Sequence, residues 1–296
     1  MHKRTSPVGA TGAPTEVKVR PAVPTDKSPL MSFIKDVWGG TDYIPQVWDH
    51  WLSDRQGRMF VVEADGVPVG MNRVRFLEDG SAWFEGARVH PAFRGKGLAS
   101  MLGENSAKFA KGRGVKVFRL TSGSRNRPAH RQIARIRFNE IARFSVYEPS
   151  KRSRLLRSDA ARLVTRPGVS MMKLLRGSKE FKLGSGVFWH DFAAASLTEP
   201  VVRGLVEEGA VWRAGEAFAI VRNGGEGSGI WEEMCYLGGG VGDSMELVRS
   251  LVGRERSASE RFVFVPQKSP LIGALKKEGF VRNFSMVLFE RRAANG

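Results

Sequence analysis

A single cysteine, Cys235, stands in the 296-residue chain, which excludes an internal disulfide framework and fits a reducing compartment. A cytoplasmic protein is therefore expected. No apolar run approaches the about 18 residues that cross a bilayer as a helix, so no membrane partner is expected. The basic opening "MHKRTSPVGATGAPTE" has no hydrophobic segment behind it, so no secretory signal is expected. Histidines are few and show no metal-ligand spacing with Cys235, so the expectation for metal is none. Acids are the scarcest class relative to their counterparts. Thirty Asp and Glu face 47 Lys and Arg, for a formal charge of +17.

That charge calls for a partner: nucleic acid, an acidic protein surface or a polyphosphate cofactor. It is also uneven. Between Lys108 and Arg143 the only acid is Glu140, and a second basic run follows from Lys151 through Arg157. Against this, a hydrophobic fraction of 42% and a charged fraction of 26% are those of a folded chain with real cores.

Patterning from Glu16 onward is mixed α/β. "VKVRPAV" reads as a strand, and "MSFIKDVW" and "IPQVWDHWL" as short amphipathic helices. The stretch from Arg58 to His90 reads as three strands broken at Asp65-Gly66 and Asp79-Gly80. Helical spacing of Leu98, Met101, Leu102, Phe109 and Ala110 runs up to Gly112, then "VKVFRLTS" reads as a strand, "PAHRQIARI" as a helix and "NEIARFSVYE" as a strand. Past a basic linker, with a helix expected toward Leu163, the alternation resumes. There "VWRAGEAFAIVRN" reads as one strand, and "DSMELVRSLV" and "PLIGALKKE" as helices before the closing strand "SMVLFERR".

The two endings match. "RPAHRQIARIRFNEIARFSVYE" lies on "SPLIGALKKEGFVRNFSMVLFE" without a gap, Pro128 on Pro270, Phe138 on Phe280 and Glu148 on Glu290, as an internal duplication would produce. The divisions expected are a disordered tail at 1–15, domains at 16–149 and 165–292 with a linker at 150–164 between them, and a tail at 293–296.

In "VHPAFRGKGLASML" a strand meets a helix across two glycines and two cations. Open backbone N–H groups at a helix start, the positive end of the dipole and the absence of a Cβ together suit a phosphate. The second copy offers "LGGGVGDSM", with glycines but no Arg or Lys.

This arrangement resembles the Gcn5-related N-acetyltransferase (GNAT) superfamily. Its motif Gln/Arg-x-x-Gly-x-Gly/Ala is met by Arg94, Gly97 and Ala99, and the likeness covers residues 16 to 148. Within the superfamily, "TDYIPQVWDHWL" and "FEGARVHPAFRGKGLA" are most similar to the histidine N-acetyltransferase type. The resemblance implies an α/β (α+β) GNAT fold, a mixed sheet splayed around the cofactor, here duplicated as two tandem domains with the second degenerate. It implies acetyl-CoA, held by Arg94, Gly95, Lys96, Gly97, Leu98 and Ala99, with pantetheine along Ala87, Arg88 and Val89 and a further contact at Asn126. A backbone N–H near Val89 would steady the oxyanion, Glu85 would serve as general base on the face of Trp83 and Val89, and Asp42 and Tyr43 would meet the substrate.

One position departs from the family. Ile133 occupies the place of the usual proton-donating Tyr, so a water or Tyr147 would have to protonate the leaving thiolate. The expected reaction is direct acetyl transfer to a primary amine of a small molecule or amino acid. Two alternatives stay open: a protein amine on an acidic partner docked by the basic stretches, and a nucleic-acid-binding module with a vestigial cofactor loop, for which Arg127, Arg131 and Arg135 share a helical face.

Overall fold

Asp65 and Gly66 both hold positive φ, 50° and 78°, the backbone that a two-residue hairpin requires. They join the second and third strands in a computed structural model that describes residues 15–151, 153, 155, 158–225, 231–252 and 260–294. The sequence-stretch 1–14 and the linker cations Arg152, Arg154 and Arg157 lie outside the described residues. The described residues fall into two compact units. One gathers residues up to Arg75 with Phe84–Arg113, and the other Phe76–Trp83 with Gly114–Gly296.

In the first unit the order is β1 (Val17–Pro21), α1 (Lys27–Ile34), α2 (Ile44–Ser53), β2 (Gly57–Ala64), β3 (Val67–Phe76), β4 (Ala82–Val89) and α3 (Leu98–Lys111). The strands lie side by side in chain order, with β1 antiparallel to β2 and β2 to β3. Leu30, Ile34, Ile44, Val47, Trp48 and Trp51 from the helices bury against Met59, Val61 and Met71 of the sheet. Helix α3 buries Leu98, Leu102, Ser106 and Ala110, each four residues from the last. A buried hydrogen bond from Asn72 Nδ2 to Ser106 Oγ, 2.9 Å, fixes it on β3.

The second unit holds β5 (Val117–Gly123), α4 (Arg127–Arg135), β6 (Asn139–Pro149), β7 (Arg162–Leu163), α5 (Val169–Gly177), α6 (Lys179–Leu183), β8 (Val187–His190), β9 (Ala193–Ser196) and α7 (Glu199–Glu207). It continues with β10 (Val211–Ala214), β11 (Ala217–Gly224), β12 (Trp231–Gly238), α8 (Val241–Val252), β13 (Glu260–Pro266), α9 (Leu271–Lys277) and β14 (Phe280–Arg292). Its main sheet runs β5-β14-β6-β13-β12-β11-β10-β7, and β8 pairs with β9 separately. Where a linker helix was expected toward Leu163, the chain makes the two-residue strand β7. The single strand expected from Val211 is a hairpin, because Gly215 at φ 52° folds β10 back on β11.

The matched endings become a local twofold. Strands β6 and β14 pair antiparallel with Phe144 opposite Met286, the two positions that the overlay makes equivalent. On either side Val146 faces Phe284 and Ala142 faces Leu288, so the pairing repeats under exchange of the copies. Each closing strand also lies against the other copy's preceding strand: β14 against β5, and β6 against β13. The exchange of closing strands ties residues 114–149 into the second unit, which is why the compact units do not follow chain order.

Candidate active site

Strand pairing of β4 ends where His90 N–H donates to Val69 O at 2.8 Å. A short turn of helix over Pro91–Phe93 follows, capped by His90 Nδ1, which accepts from Ala92 N–H. Gly95 and Gly97 then adopt φ of 78° and 82°, and a Cβ built on either meets nothing within 4 Å. The glycines are thus demanded by backbone conformation, and the space beside them is open. Gly97 caps α3 with no side-chain hydrogen bond, so the helix start presents main-chain N–H groups that no intrahelical carbonyl can reach. Arg94 folds back, its Nε donating to Val89 O at 3.2 Å, while Lys96 Nζ stands 5.1 Å from the centre of the Phe93 ring. A concave run of N–H groups beside two cations can hold a pyrophosphate.

Upstream, Gly86 takes φ of 66° in the middle of β4, a backbone that favours glycine. A Cβ there would fall 2.6 Å from Trp51 Cζ3 and 3.2 Å from Ile44 Cδ1, so α2 lies directly on the strand. Glu85 is mostly buried, and its Oε1 accepts from Arg73 Nη1 at 2.7 Å, with Arg75 Nε 3.6 Å away. Arg73, 1% exposed, also pairs with Asp54 and lies 4.7 Å from the Trp51 ring centre. Sequence reasoning missed Arg73, Trp51 and Gly86. A glycine inside a strand was the available signal.

Asp42 is enclosed: Arg88 reaches it through Nε at 2.6 Å and Nη2 at 3.1 Å, and Ile44 N–H donates to its Oδ1. Tyr43 is 40% exposed, packed edge-on to Trp51 at 5.8 Å with the Arg88 guanidinium 5.7 Å from its ring centre. The first unit therefore brings together Asp42, Tyr43, Glu85 and Arg88 around Trp51 and carries the loop 94–99 on the same strand. Ala87 is exposed, and Arg88 and Val89 are half-buried.

The remaining candidates belong to the second unit. Asn126 caps α4, its Oδ1 accepting from Ala129 N–H at 3.2 Å. Ile133 is buried. Tyr147 lies in a hydrophobic core with Met234, Leu247 and Val263, and burial, only partly opposed by Arg282, pushes its phenol above the ordinary value. In the second copy's glycine stretch, Asp243 sits in the first turn of α8 and its Oδ2 accepts from Glu216 N–H at 3.0 Å. The separation of His and Cys seen in sequence does not persist, for His190, Glu233 and Cys235 place one ligand atom each within 4.8 Å of one another.

Residues 28–136 match the family model of the acetyltransferase (GNAT) family. Over 103 residues the chain is 35% identical to the histidine N-acetyltransferase of Oreochromis niloticus, covering 34% of this chain and 31% of that protein. It is 34% identical over 95 residues to the histidine N-acetyltransferase of Xenopus tropicalis, covering 31% and 29%. The chain thus matches about a third of the length of these relatives. A GCN5-related N-acetyltransferase from Sphaerobacter thermophilus has the same fold, with a TM-score of 0.60 at 14% identity over 95% of this chain and 97% of its own. Over residues 28–136, which carry the strand-loop-helix corner, the chain is similar to the acetyltransferase (GNAT) family.

Proposed function

We propose that the chain transfers an acetyl group from acetyl-CoA to the primary amine of an amino acid or similar small molecule. The observation that carries this is the open helix start at Gly97, flanked by Gly95, Arg94 and Lys96, at the end of the strand that bears Glu85. In this reading the N–H groups of residues 94 to 99 bind the pyrophosphate, and pantetheine runs along Ala87, Arg88 and Val89. The amine nitrogen attacks the thioester carbonyl, a main-chain N–H near Val89 stabilises the oxyanion, and the C–S bond breaks. The amine proton passes to Glu85, directly or through one water, and water protonates the thiolate. Arg73 fixes the Glu85 carboxylate in place.

The exposed Tyr43 ring and the guanidinium of Arg88 offer a flat, polar-edged surface for the acceptor. Relatives named for histidine favour an amino-acid α-amine. Release of CoA thiol measured over a panel of amino acids and polyamines tests this. Turnover with histidine or a kindred amino acid is expected, and absence of turnover on every amine would overturn the reading.

A second reading rests on charge. Arg127, Arg131 and Arg135 lie four residues apart along α4 with Arg125 and Arg137 beside them. All five are exposed, and among the described residues none has an ion pair. Such a face suits an acidic protein carrying the acceptor amine. Transfer of radiolabel from acetyl-CoA into protein rather than small molecules of a cell extract would favour it.

A further inference from the structure

The hairpin of β8 and β9 turns at Asp191 and Phe192, both non-glycine residues with positive φ of 46° and 55°. Behind it, Glu233 and Cys235 stand on β12, Cys235 at the shift of register between its neighbours Met234 and Tyr236. Both are buried, Glu233 completely. A carboxylate removed from water is costly unless a cation compensates it. Among the described residues, Glu233 Oε2 is met by His190, whose Nδ1 stands 3.3 Å away, and by the Asp191 N–H, which donates to it at 2.9 Å. Cys235 Sγ is 4.0 Å from the same oxygen.

We propose that His190 Nδ1, a Glu233 carboxylate oxygen and the Cys235 sulfur bind one Zn²⁺. Nitrogen, carboxylate oxygen and thiolate are the three donor types zinc takes, and bond lengths of about 2.0–2.3 Å set neighbouring donors roughly 3.3–3.7 Å apart in a tetrahedron. The three donor atoms already lie within 4.8 Å of one another, so closing the site needs shifts of about 1 Å or less. Groups around them orient the ligands. Asp191 Oδ2 is 3.4 Å from His190 Nε2, the ring nitrogen that does not face the site, and Trp231 Nε1 donates to Glu233 Oε1 at 2.9 Å. A carboxylate on the distal nitrogen is the usual support of a metal-bound imidazole. His190 is 25% exposed at its side chain, which leaves solvent a path to a fourth position.

Binding displaces the Cys235 thiol proton to solvent as the sulfur–zinc bond forms. The ion fastens the β8–β9 hairpin to β12 and uses no residue of the acetyl-transfer reading. Because Cys235 is the chain's one cysteine, a thiolate-to-cobalt charge-transfer band on titrating the full-length protein with Co²⁺ has only one source. Expected are one Zn²⁺ or Co²⁺ per chain by equilibrium dialysis, with that band present. The band is lost in Cys235→Ser, and affinity falls about tenfold or more in His190→Gln. A wild-type protein that binds less than one equivalent, or binds cobalt without the thiolate band, overturns the proposal whatever the variants do.

Discussion

Arg119 on β5 donates through Nη1 to Asp79 Oδ2 at 2.7 Å, and both side chains are buried. Asp79 also accepts from Ser81 and from the backbone N–H of Ser196, while Arg119 reaches Glu290 and Ser196 Oγ. Burial alone would raise the carboxyl of Asp79. The donors around it outweigh burial and hold it below the ordinary carboxylate value.

A carboxyl lowered on folding stabilises the fold above its unfolded pKa of about 3.9, and that contribution is lost as pH falls toward the folded value. Asp79→Asn should therefore cost about 3 kcal/mol near neutral pH, since it leaves Arg119 buried with only Glu290 as counter-charge. The deficit should shrink as pH falls below about 4, where the carboxyl of the unfolded chain protonates first and the folded one only at its lowered value. Urea melts of both proteins across this range read it. A loss under about 1 kcal/mol near neutrality would mean that Glu290 alone satisfies the guanidinium.

Gly86→Ala should destabilise for two reasons that act together. Its φ of 66° disfavours any L side chain, and the new methyl would meet the Trp51 ring at 2.6 Å. Strain of roughly 1–3 kcal/mol is expected from the backbone, with more from displacing the ring. Thermal unfolding checks the loss of stability. Near-ultraviolet circular dichroism should report the moved Trp51, and an unchanged spectrum and melting temperature would show that the strand relaxes freely at Gly86.

Local chemistry was legible in the sequence wherever one short segment decides the outcome. The glycines at 95 and 97 are needed by conformations that the adjacent residues impose, and Asp65-Gly66 names its own turn. The equivalence of the two endings also held, down to Phe144 opposite Met286. Long-range relations were hidden. Nothing within β4 says that Glu85 will be met by Arg73 of β3, or that Asp42 will be enclosed by Arg88 forty-six residues later. Nor does any spacing bring His190 beside Cys235, because the β8–β9 hairpin and β12 meet only through the tertiary fold. The left-handed backbone of Gly86 likewise answers to Trp51 on another element.

Gly97→Val separates cofactor binding from folding. The side chain would enter open space, so no clash within the protein opposes it; the cost is a left-handed backbone for a β-branched residue, about 1–3 kcal/mol. A branched side chain at that position would stand where the diphosphate approaches the N–H groups. Calorimetric affinity for acetyl-CoA should drop about tenfold or more, and the variant should still unfold cooperatively. Unchanged affinity in a folded variant would remove the loop from the binding reading.

Glu85→Gln tests the chemistry at nearly constant shape. The amide can still accept from Arg73, so the packing around Trp51 persists, but it takes up no proton from the attacking amine. Loss of a general base costs typically 10²–10⁴ in rate, and kcat should fall in that range while the acetyl-CoA affinity stays within about twofold. Were the carboxylate only a structural partner of Arg73, the variant would lower the melting temperature with kcat per folded molecule retained. A fall in both acetyl-CoA affinity and stability with kcat intact would assign Glu85 to the support of β4 and move the base elsewhere.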